Sequence, residues 1–389
     1  MITPLTNLNL SKTYFNPQIS SKLQSDRSFC STAVHTERNL PPLYSGNILY
    51  FTPSFGQRNI HEKKYDLKDK TIVITGGTGT IGNYLIDSLL KNYSPKKIIV
   101  FSRDEMKQHV MKNKNNKNEK LSFVIGDVRD ETALERAFKK ADVVIHTAAM
   151  KHVPICEENP EEAVKTNIDG ARNVIKAALN SNVKRVIAVS SDKASSPSNL
   201  YGATKFVSEK LFTNANKYTD EDGVKFSCVR LGNVVGSRGS IIPLFREQSK
   251  TGTIKITDKN MTRFFMTPAQ ASDLILSGIE IMNGAEIFIP KLKNTSIMEL
   301  AKQVAPDAKI EYIGIRPGEK LDEDFISPVE EKSALDIKDR YVILPKDSFD
   351  TMKKLWKEGK ELDSNYNYSS SNSYFKMSEK DLKKLIKEA

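Results

Sequence analysis

A short apolar segment, Thr71-Ile-Val-Ile-Thr75, leads directly into the glycine-rich stretch Gly76-Gly-Thr-Gly-Thr-Ile-Gly82. The apolar segment has the length and composition of a buried parallel strand. The glycines suit a tight turn in which the backbone approaches a diphosphate and a helix packs closely on a sheet. A helix beginning here would point free N–H groups and its positive dipole end at that diphosphate. Because strand, loop and helix occur in this order, the segment predicts a dinucleotide-binding site.

Similar apolar runs recur along the chain with helical spacing between them. They cover residues 98–101, 122–125, 143–146 and 186–189. Strands that alternate with helices form a parallel sheet covered on both faces. The sequence therefore predicts an α/β fold, a Rossmann-type doubly wound parallel sheet. The alternation lapses after residues 226–230, which predicts a smaller C-terminal substrate-binding lobe over the carboxyl ends of the strands, where such folds bind ligands.

We expect four parts along the chain. Residues 1–66 are rich in Asn, Ser, Thr and Pro and have no periodicity, so they predict a poorly ordered N-terminal extension. Residues 67–232 form the expected NADP-binding Rossmann domain. Residues 233–349 form the expected substrate-binding lobe, mixed with segments that return to the Rossmann sheet. Residues 350–389 form a tail that contains a low-complexity run, 369–372, and a short amphipathic helix.

Composition excludes several other classes of protein. The 389 residues are 39% hydrophobic and 28% charged, as in globular proteins, and no apolar run is long enough for a membrane span. The three cysteines form no Cys-x-x-Cys pair, which argues against a disulfide framework or a metal site and favours a reducing, cytoplasmic location. The net charge of +11 is thinly spread, so it indicates an anionic cofactor and substrate rather than nucleic acid.

The end of the second strand bears on cofactor choice. An NAD site usually has Asp or Glu there to hold the ribose 2′-hydroxyl, whereas this chain has Ser102-Arg103. Arg103 would pair with a 2′-phosphate, which favours NADP over NAD. In the alternative, Asp104 holds the ribose of NAD and Arg103 faces solvent. The predicted cofactor-binding residues are Gly76, Thr78, Gly79, Thr80, Ile81, Gly82, Ser102, Arg103, Asp127, Val128, Ala148, Ala149, Lys151, Tyr201 and Lys205.

Tyr201 and Lys205 are four residues apart and would share one face of a helix. A free tyrosine has a pKa of roughly 10 and is a poor base at neutral pH. Positive charge from Lys205 and from the nicotinamide would favour the phenolate, so that Tyr201 could take the proton of a substrate hydroxyl during hydride transfer. Ser191, at the end of the fifth strand, would hydrogen-bond to the same oxygen.

Asp192 and Lys193 exceed what simple alcohol oxidation requires. Once C4 of a hexose is a ketone, the proton on C5 becomes acidic. A neutral amine at Lys193 could remove that proton, while a protonated Asp192 could donate to the departing 6-hydroxyl. In the alternative, Asp192 caps a local turn and Lys193 faces water.

These motifs resemble those of the extended short-chain dehydrogenases of surface-sugar biosynthesis, specifically the inverting UDP-N-acetylglucosamine 4,6-dehydratases. The resemblance covers about residues 67–389. Besides the glycine-rich stretch, the matching segments are 101–105, 126–130, 148–154, 191–194, 199–205, 230–239, 261–264, 316–320 and the tail around Asn372.

The resemblance implies a C5-inverting dehydration of UDP-N-acetylglucosamine with tightly bound, recycled NADP, in a homo-oligomer. It implies that Lys193 is the C5 base, that Asp192 is the acid, and that Tyr201 and Lys205 are the redox pair. It also implies substrate contacts from Asn233, Arg263, Arg316 and Glu319. For Lys151, a structural or substrate-positioning role and a chemical role both stay open.

The chain departs from the family pattern in three places. Ser191 replaces a common Thr, Asp322 replaces a common His, and residues 1–66 have no counterpart. Two other functions stay open. A nucleotide-sugar 4-epimerase would need only Tyr201, Lys205 and the cofactor, and a non-catalytic NADP-binding sensor or scaffold would need neither side chain.

Overall fold

A computed structural model describes residues 62–115, 118–237, 239–363 and 365–389. The predicted N-terminal extension therefore lies almost entirely outside the described residues. Its last residues do make contacts, because the backbone N–H groups of Lys64 and Tyr65 both donate to the carbonyl of Glu280. No helix in the described ranges is both long and apolar enough to cross a membrane.

Within the described residues the main sheet has ten strands, of which seven are parallel. In spatial order these seven are β3 (Leu121–Ile125), β2 (Lys97–Ser102), β1 (Thr71–Thr75), β4 (Val143–His146), β5 (Arg185–Ser191), β6 (Lys225–Leu231) and β10 (Ile287–Pro290). The order reverses between β1 and β4, which creates the crevice where doubly wound sheets bind ligands. The predicted α/β, Rossmann-type architecture is confirmed.

Three antiparallel strands extend the sheet beyond β10. They are β14 (Arg340–Ile343), β13 (Ala334–Asp336) and, at the edge, β15 (Lys360–Glu361). Two smaller sheets lie apart from the main one. One contains β11 (Asn294–Ser296), β9 (Thr262–Met266) and β7 (Asn233–Val234), and the other pairs β12 (Lys309–Tyr312) with β8 (Thr253–Ile256). Residues after 233 thus supply both returning strands and separate small sheets.

Helices connect the strands. Those of the N-terminal half are α1 (Thr80–Asn92), α2 (Glu105–Lys114), α3 (Glu131–Phe138), α4 (Val153–Glu158), α5 (Pro160–Val164), α6 (Gly170–Leu179) and α7 (Leu200–Ala215). Those of the C-terminal half are α8 (Ile241–Ser249), α9 (Pro268–Ile281), α10 (Ile297–Val304), α11 (Phe349–Lys353) and α12 (Glu379–Lys387). Many begin at a side-chain cap. For example, Asn199 accepts from the N–H of Gly202 at the start of α7.

Two apolar clusters account for most of the core. The larger follows the main sheet, where β1 is buried along its whole length as expected for a parallel strand covered on both faces. The smaller cluster joins α8, β8 and α10 to Leu382 and Leu385 of α12. The apolar face of α12, predicted as an amphipathic helix, therefore completes this second cluster.

Candidate active site

The glycine-rich loop has the shape that a dinucleotide diphosphate requires. Gly76 has φ +68°, and a Cβ there would lie 2.8 Å from the Cα of Ala148. A Cβ on Gly82 would lie 2.1 Å from the carbonyl oxygen of Gly77, so no side chain fits where α1 meets the loop. Gly79 precedes α1 and offers no side-chain cap, which leaves the first N–H groups of the helix available to an anion. These residues fit a nicotinamide dinucleotide.

Charged side chains meet beyond β2 and β3. Arg103 Nη1 lies 3.6 Å from Asp127 Oδ2, and Arg129 donates to the same oxygen from Nε at 2.9 Å and from Nη2 at 2.7 Å. Burial opposes ionisation of Asp127, but its hydrogen bonds and the two arginines hold its pKa below the usual range. Asp104 accepts from the N–H of Lys107 and so caps α2. This acid has a structural role, whereas Arg103 is largely exposed and close to a second arginine.

The remaining predicted cofactor residues follow the strand ends. Val128 is buried after β3, and Ala148 and Ala149 are half-buried after β4, while Lys151 is exposed. Ser102 is buried at the end of β2, where its Oγ accepts from Gln108 Nε2 at 3.0 Å. The structure thus arranges these residues along the carboxyl edge of the sheet.

Asn167 connects the β4 loop to α7, and the sequence analysis did not identify it. Its Oδ1 accepts from the N–H of Met150 at 2.8 Å, and its Nδ2 donates to the Met150 carbonyl and to Thr204 Oγ1, both at 2.9 Å. Asn167 lies in a wide helical turn, Lys165–Asp169, between α5 and α6. Because such π-type turns are common at functional sites, the turn itself is a structural signal, but it is not visible in the sequence.

Ser191, Asp192 and Lys193 form a compact group at the end of β5. The Ser191 hydroxyl donates to Asp192 Oδ1 at 2.8 Å, and Lys193 Nζ donates to the same oxygen at 3.1 Å. Asp192 is fully buried and Lys193 is four-fifths buried, so Lys193 does not face bulk solvent. Asp192 Oδ2 is also buried and has no hydrogen-bond partner among the described residues.

Three residues from the C-terminal half surround the Lys193 amine. Glu323 Oε1 lies 3.4 Å and Asn233 Oδ1 lies 3.5 Å from Lys193 Nζ. Arg263 Nε lies 3.9 Å from the same Glu323 oxygen, while its Nη atoms donate to the carbonyls of Thr262, Leu321 and Lys320. The predicted residues Asn233 and Arg263 therefore do meet the Asp192–Lys193 pair. Glu323 is an addition that sequence reasoning missed.

The charge state of Lys193 follows from this environment. Burial disfavours the ammonium, but the carboxylates of Asp192 and Glu323 outweigh that effect and raise the pKa of Lys193 above its usual value. Burial raises the pKa of Glu323 as well, and the positive charge of Lys193 opposes that rise. At neutral pH one proton therefore resides on the amine, within hydrogen-bonding reach of a carboxylate.

Tyr201 and Lys205 lie buried on α7, beside this group. Burial raises the pKa of Tyr201 to about 12, while Lys193 and a hydrogen bond with Ser191 oppose the rise. Burial lowers the pKa of Lys205 to about 8. His146, at the end of β4, is paired with Thr75 Oγ1 at 2.8 Å, and burial followed by the charge of Lys205 lowers its pKa to about 3. Lys205 is thus an amine that burial makes easier to deprotonate, and the imidazole that senses its charge is neutral.

Arg316 and Glu319 occupy a loop rather than the buried group. Arg316 Nη1 lies 3.8 Å from Glu319 Oε1, and Arg316 is half-exposed. The loop is fixed at its other end, where Gly318 accepts hydrogen bonds from Ser198 and Asn199 and where Lys320 Nζ donates to the Ser195 carbonyl. It therefore packs against the segment between Lys193 and α7. Asp322, the departure from the family pattern, accepts from Thr262 Oγ1 at 2.6 Å.

The sequence matches the family model described as polysaccharide biosynthesis protein over residues 72–345. It is 45% identical over 325 residues to a UDP-N-acetylglucosamine 4,6-dehydratase (inverting) of Campylobacter jejuni, covering 82% of this chain and 97% of the relative. It is 42% identical over 283 residues to a UDP-glucose 4-epimerase of Rickettsia bellii, covering 71% of this chain and 83% of that protein.

A solved structure is also similar to this chain. The X-ray structure of Pen from Bacillus thuringiensis superposes with a TM-score of 0.76 at 39% identity, covering 84% of this chain and 100% of that one. The resemblance predicted from the motifs is thereby confirmed. The chain belongs to the polysaccharide biosynthesis protein family, alongside inverting UDP-N-acetylglucosamine 4,6-dehydratases.

Proposed function

We propose that this protein is a UDP-N-acetylglucosamine 4,6-dehydratase that inverts C5 and forms a UDP-4-keto-6-deoxy-hexosamine for surface polysaccharide or glycan synthesis. One observation carries the proposal. A lysine–carboxylate pair, Lys193 Nζ to Asp192 Oδ1 at 3.1 Å, lies beside the redox tyrosine. The name of the Campylobacter jejuni relative supports the same activity.

The first step would oxidise C4. Tyr201 would accept the proton of the 4-hydroxyl, Ser191 would hydrogen-bond to the same oxygen, and Lys205 would favour the phenolate. The nicotinamide, when bound, supplies the hydride acceptor at C4 and later the hydride donor at C6. Because hydride leaves and returns, the net redox change is zero and the dinucleotide is recycled.

The second step would eliminate water. Movement of one proton from Lys193 to Asp192 converts the ion pair into a neutral amine and a carboxylic acid without changing the total charge. The amine then takes the C5 proton, and the acid gives its proton to the departing 6-hydroxyl, so the C6–O bond breaks as the C5–C6 double bond forms. Elimination restores the ammonium–carboxylate pair. When hydride returns to C6, C5 gains a solvent-derived proton on the face opposite to the one that Lys193 deprotonated, and this inverts C5.

Several side chains would hold the sugar nucleotide. Arg316 and Glu319 suit the diphosphate and ribose hydroxyls, respectively. Asn233 and Arg263 are closer to Lys193 and would contact the reacting sugar, and Lys151 lies after β4 near the expected nicotinamide. Arg103 at the end of β2, with Arg129 close to the same oxygen of Asp127, is the feature that supports NADP over NAD, because an arginine there would pair with a 2′-phosphate.

We also infer a cytoplasmic homo-oligomer. The unpaired thiols of Cys156 and Cys228 agree with a reducing compartment. The family resemblance suggests association between copies of the chain.

A nucleotide-sugar 4-epimerase is the second candidate, and the Rickettsia bellii relative favours it by name. Both reactions begin with oxidation at C4. An epimerase would then return hydride to C4, so Asp192 and Lys193 would have no proton to move. The buried pair of Asp192 and Lys193 therefore supports dehydration over epimerisation.

The deciding experiment is proton NMR of the product formed from UDP-N-acetylglucosamine in deuterated water. A dehydratase releases a 4-keto-6-deoxy sugar with deuterium at C5, and the coupling constants report the configuration there. UDP-N-acetylgalactosamine without C5 exchange would instead identify an epimerase. Unchanged substrate in the presence of either NADP or NAD would refute both enzymatic functions.

A further inference from the structure

Glu323 is the second carboxylate in contact with the Lys193 amine. Its Oε1 lies 3.4 Å from Lys193 Nζ, only slightly farther than the 3.1 Å to Asp192 Oδ1. Its side chain is 3% exposed, and Arg263 Nε lies 3.9 Å from the same oxygen. Lys193, Asp192, Glu323 and Arg263 together form a buried group of two cations and two carboxylates, hereafter the Lys193 cluster.

The Lys193 cluster is poorly satisfied as a structural ion network. Glu323 Oε2 and Asp192 Oδ2 are both buried, and neither has a hydrogen-bond partner among the described residues. An unpaired buried carboxylate oxygen costs about 1–3 kcal/mol, and more when charged. A fold that needed only stability would gain little from a second such acid, which indicates a functional reason for Glu323.

The C-terminal tail fixes Glu323 in this position. The Glu323 N–H donates to Ser370 Oγ, and the Ser370 N–H donates to the Glu323 carbonyl, both at 2.8 Å. Two residues away, the Phe325 N–H donates to the Tyr368 carbonyl at 3.1 Å. Ser370 Oγ is also 2.8 Å from Thr262 Oγ1. The backbone of Glu323 is therefore tied to the tail and, through Ser370, to Thr262 of β9, and its side chain is directed at Lys193.

We propose that Glu323 is a positioning residue for the elimination step, which holds the Lys193 amine in the orientation that takes the C5 proton. This inference rests on the proposed dehydratase function. During elimination Lys193 gains a positive charge while Asp192 gains a negative one. The resting pair already carries both charges, so Glu323 acts by holding the nitrogen in place while one proton passes to Asp192 and another arrives from C5. Fixed orientation of this kind contributes to the rate of a proton transfer. Glu323 has no corresponding part in hydride transfer at C4.

The charges that face Lys193 determine the expected pH effect. They are the carboxylates of Asp192 and Glu323 and the guanidinium of Arg263, and Lys320 lies near Glu323. Replacing Glu323 by the neutral glutamine removes one anion, so the pKa of the amine should fall. The Lys193–Asp192 pair reacts with one shared proton, so the alkaline limb of the kcat profile reports loss of that proton, and this limb should move to lower pH in Glu323→Gln.

The test is single-turnover kinetics of the full chain with bound cofactor and UDP-N-acetylglucosamine. Absorbance of the reduced nicotinamide reports C4 oxidation, and its decay reports elimination followed by hydride return. In Glu323→Gln we expect the first rate within about twofold of wild type, elimination slower by about tenfold or more, and the reduced nicotinamide accumulating. Glu323→Asp, which keeps the charge, should restore part of the elimination rate.

Glu330→Gln is the matched control, because Glu330 is another buried acid that accepts hydrogen bonds from an internal cation, Arg230. It should not change the ratio of the two rates. The proposal is overturned if Glu323→Gln eliminates at the wild-type rate, or if it slows both steps equally. If Glu323→Gln does not fold, the same comparison with Glu323→Asp decides. Failure of the wild-type protein to make a 4-keto sugar would refute the proposed function instead.

Discussion

Two buried ion clusters in this molecule have similar composition but differ in how completely their carboxylate oxygens are hydrogen-bonded. Arg230 is fully buried and bonds to Glu209 and Glu330 at 2.7–2.9 Å, with both carboxylates bound through two oxygens. In the Lys193 cluster the two carboxylates lie 3.1 Å and 3.4 Å from Lys193 Nζ, and each has one oxygen without a hydrogen-bond partner in the part of the chain that the structure describes. The first cluster is a satisfied network, whereas the second has unused acceptors.

The chemistry of the two cations explains the difference. The planar guanidinium of Arg230 stays protonated and matches carboxylates in a fork geometry. The amine of Lys193 is a point charge that exchanges its proton when its surroundings change. A tight network stabilises the fold by joining α7 and β6 to residues 325–330, while a loose one allows a proton to move. The following predictions test this distinction.

Lys193→Met should have the largest effect on the proposed reaction. Without the amine no base is available for C5, so elimination should fall by about 10²–10⁴-fold while hydride transfer at C4 continues. Reduced nicotinamide should therefore accumulate in a single turnover. A variant that still released 4-keto-6-deoxy product at the wild-type rate would contradict the assignment of Lys193 as the base.

Arg230→Met should have the largest effect on stability. It leaves Glu209 and Glu330 buried without their cation, which costs about 3–5 kcal/mol in the free energy of unfolding. Urea unfolding followed by circular dichroism would measure the loss. If Arg230→Met lowered the free energy of unfolding less than Lys193→Met does, the comparison between the two clusters would be reversed.

The pH dependence of stability should distinguish Glu330 from its neutral replacement. Arg230 holds the pKa of Glu330 at about 2, despite burial, against an ordinary value of 4.5. A lowered carboxyl pKa gives stability that is present above the unfolded-state value and lost as pH falls toward the folded-state value. The wild-type advantage over Glu330→Gln, about 3 kcal/mol at neutral pH, should therefore shrink between pH 4.5 and 2. Urea unfolding of both proteins at several pH values measures this advantage. If the difference in free energy of unfolding stayed constant with pH, it would contradict the lowered pKa of Glu330.

Ser370→Ala should have the smallest effect. It removes the acceptor of the Glu323 N–H, and one such hydrogen bond contributes about 1 kcal/mol. We expect elimination to slow by roughly two- to tenfold, with hydride transfer unchanged, because Glu323 loses one of its two links to the tail. Ser371→Ala, one residue further along, is the control. Equal effects of both substitutions would show that Ser370 has no special role.

Much of the site could be predicted because its motifs are local. Gly76 and Gly82 could be predicted because both belong to a single turn, and Tyr201 and Lys205 because both lie on a single face of one helix. Asp192 follows Ser191 at a strand end that the apolar pattern already located. These features depend on a few neighbouring residues, so the sequence contains their physical cause.

Glu323 and Asn167 could not be predicted because tertiary structure gives them their roles. Glu323 is 130 residues from Lys193 in the chain and reaches it only after β7, β9 and the tail have packed. Asn167 acts through a helical turn whose shape has no sequence signal. The serine-rich run of the tail is low in sequence complexity, and nothing in that composition predicts that Ser369 and Ser370 are buried.

The link between Ser370 and Glu323 has a consequence for how the protein is made. Every strand of the main sheet leaves the ribosome before residue 370 does. A nascent chain can therefore build its nucleotide-binding half while the acid beside Lys193 still lacks its backbone partner. Elimination should therefore reach its full rate only after the tail has emerged from the ribosome and packed against residue 323.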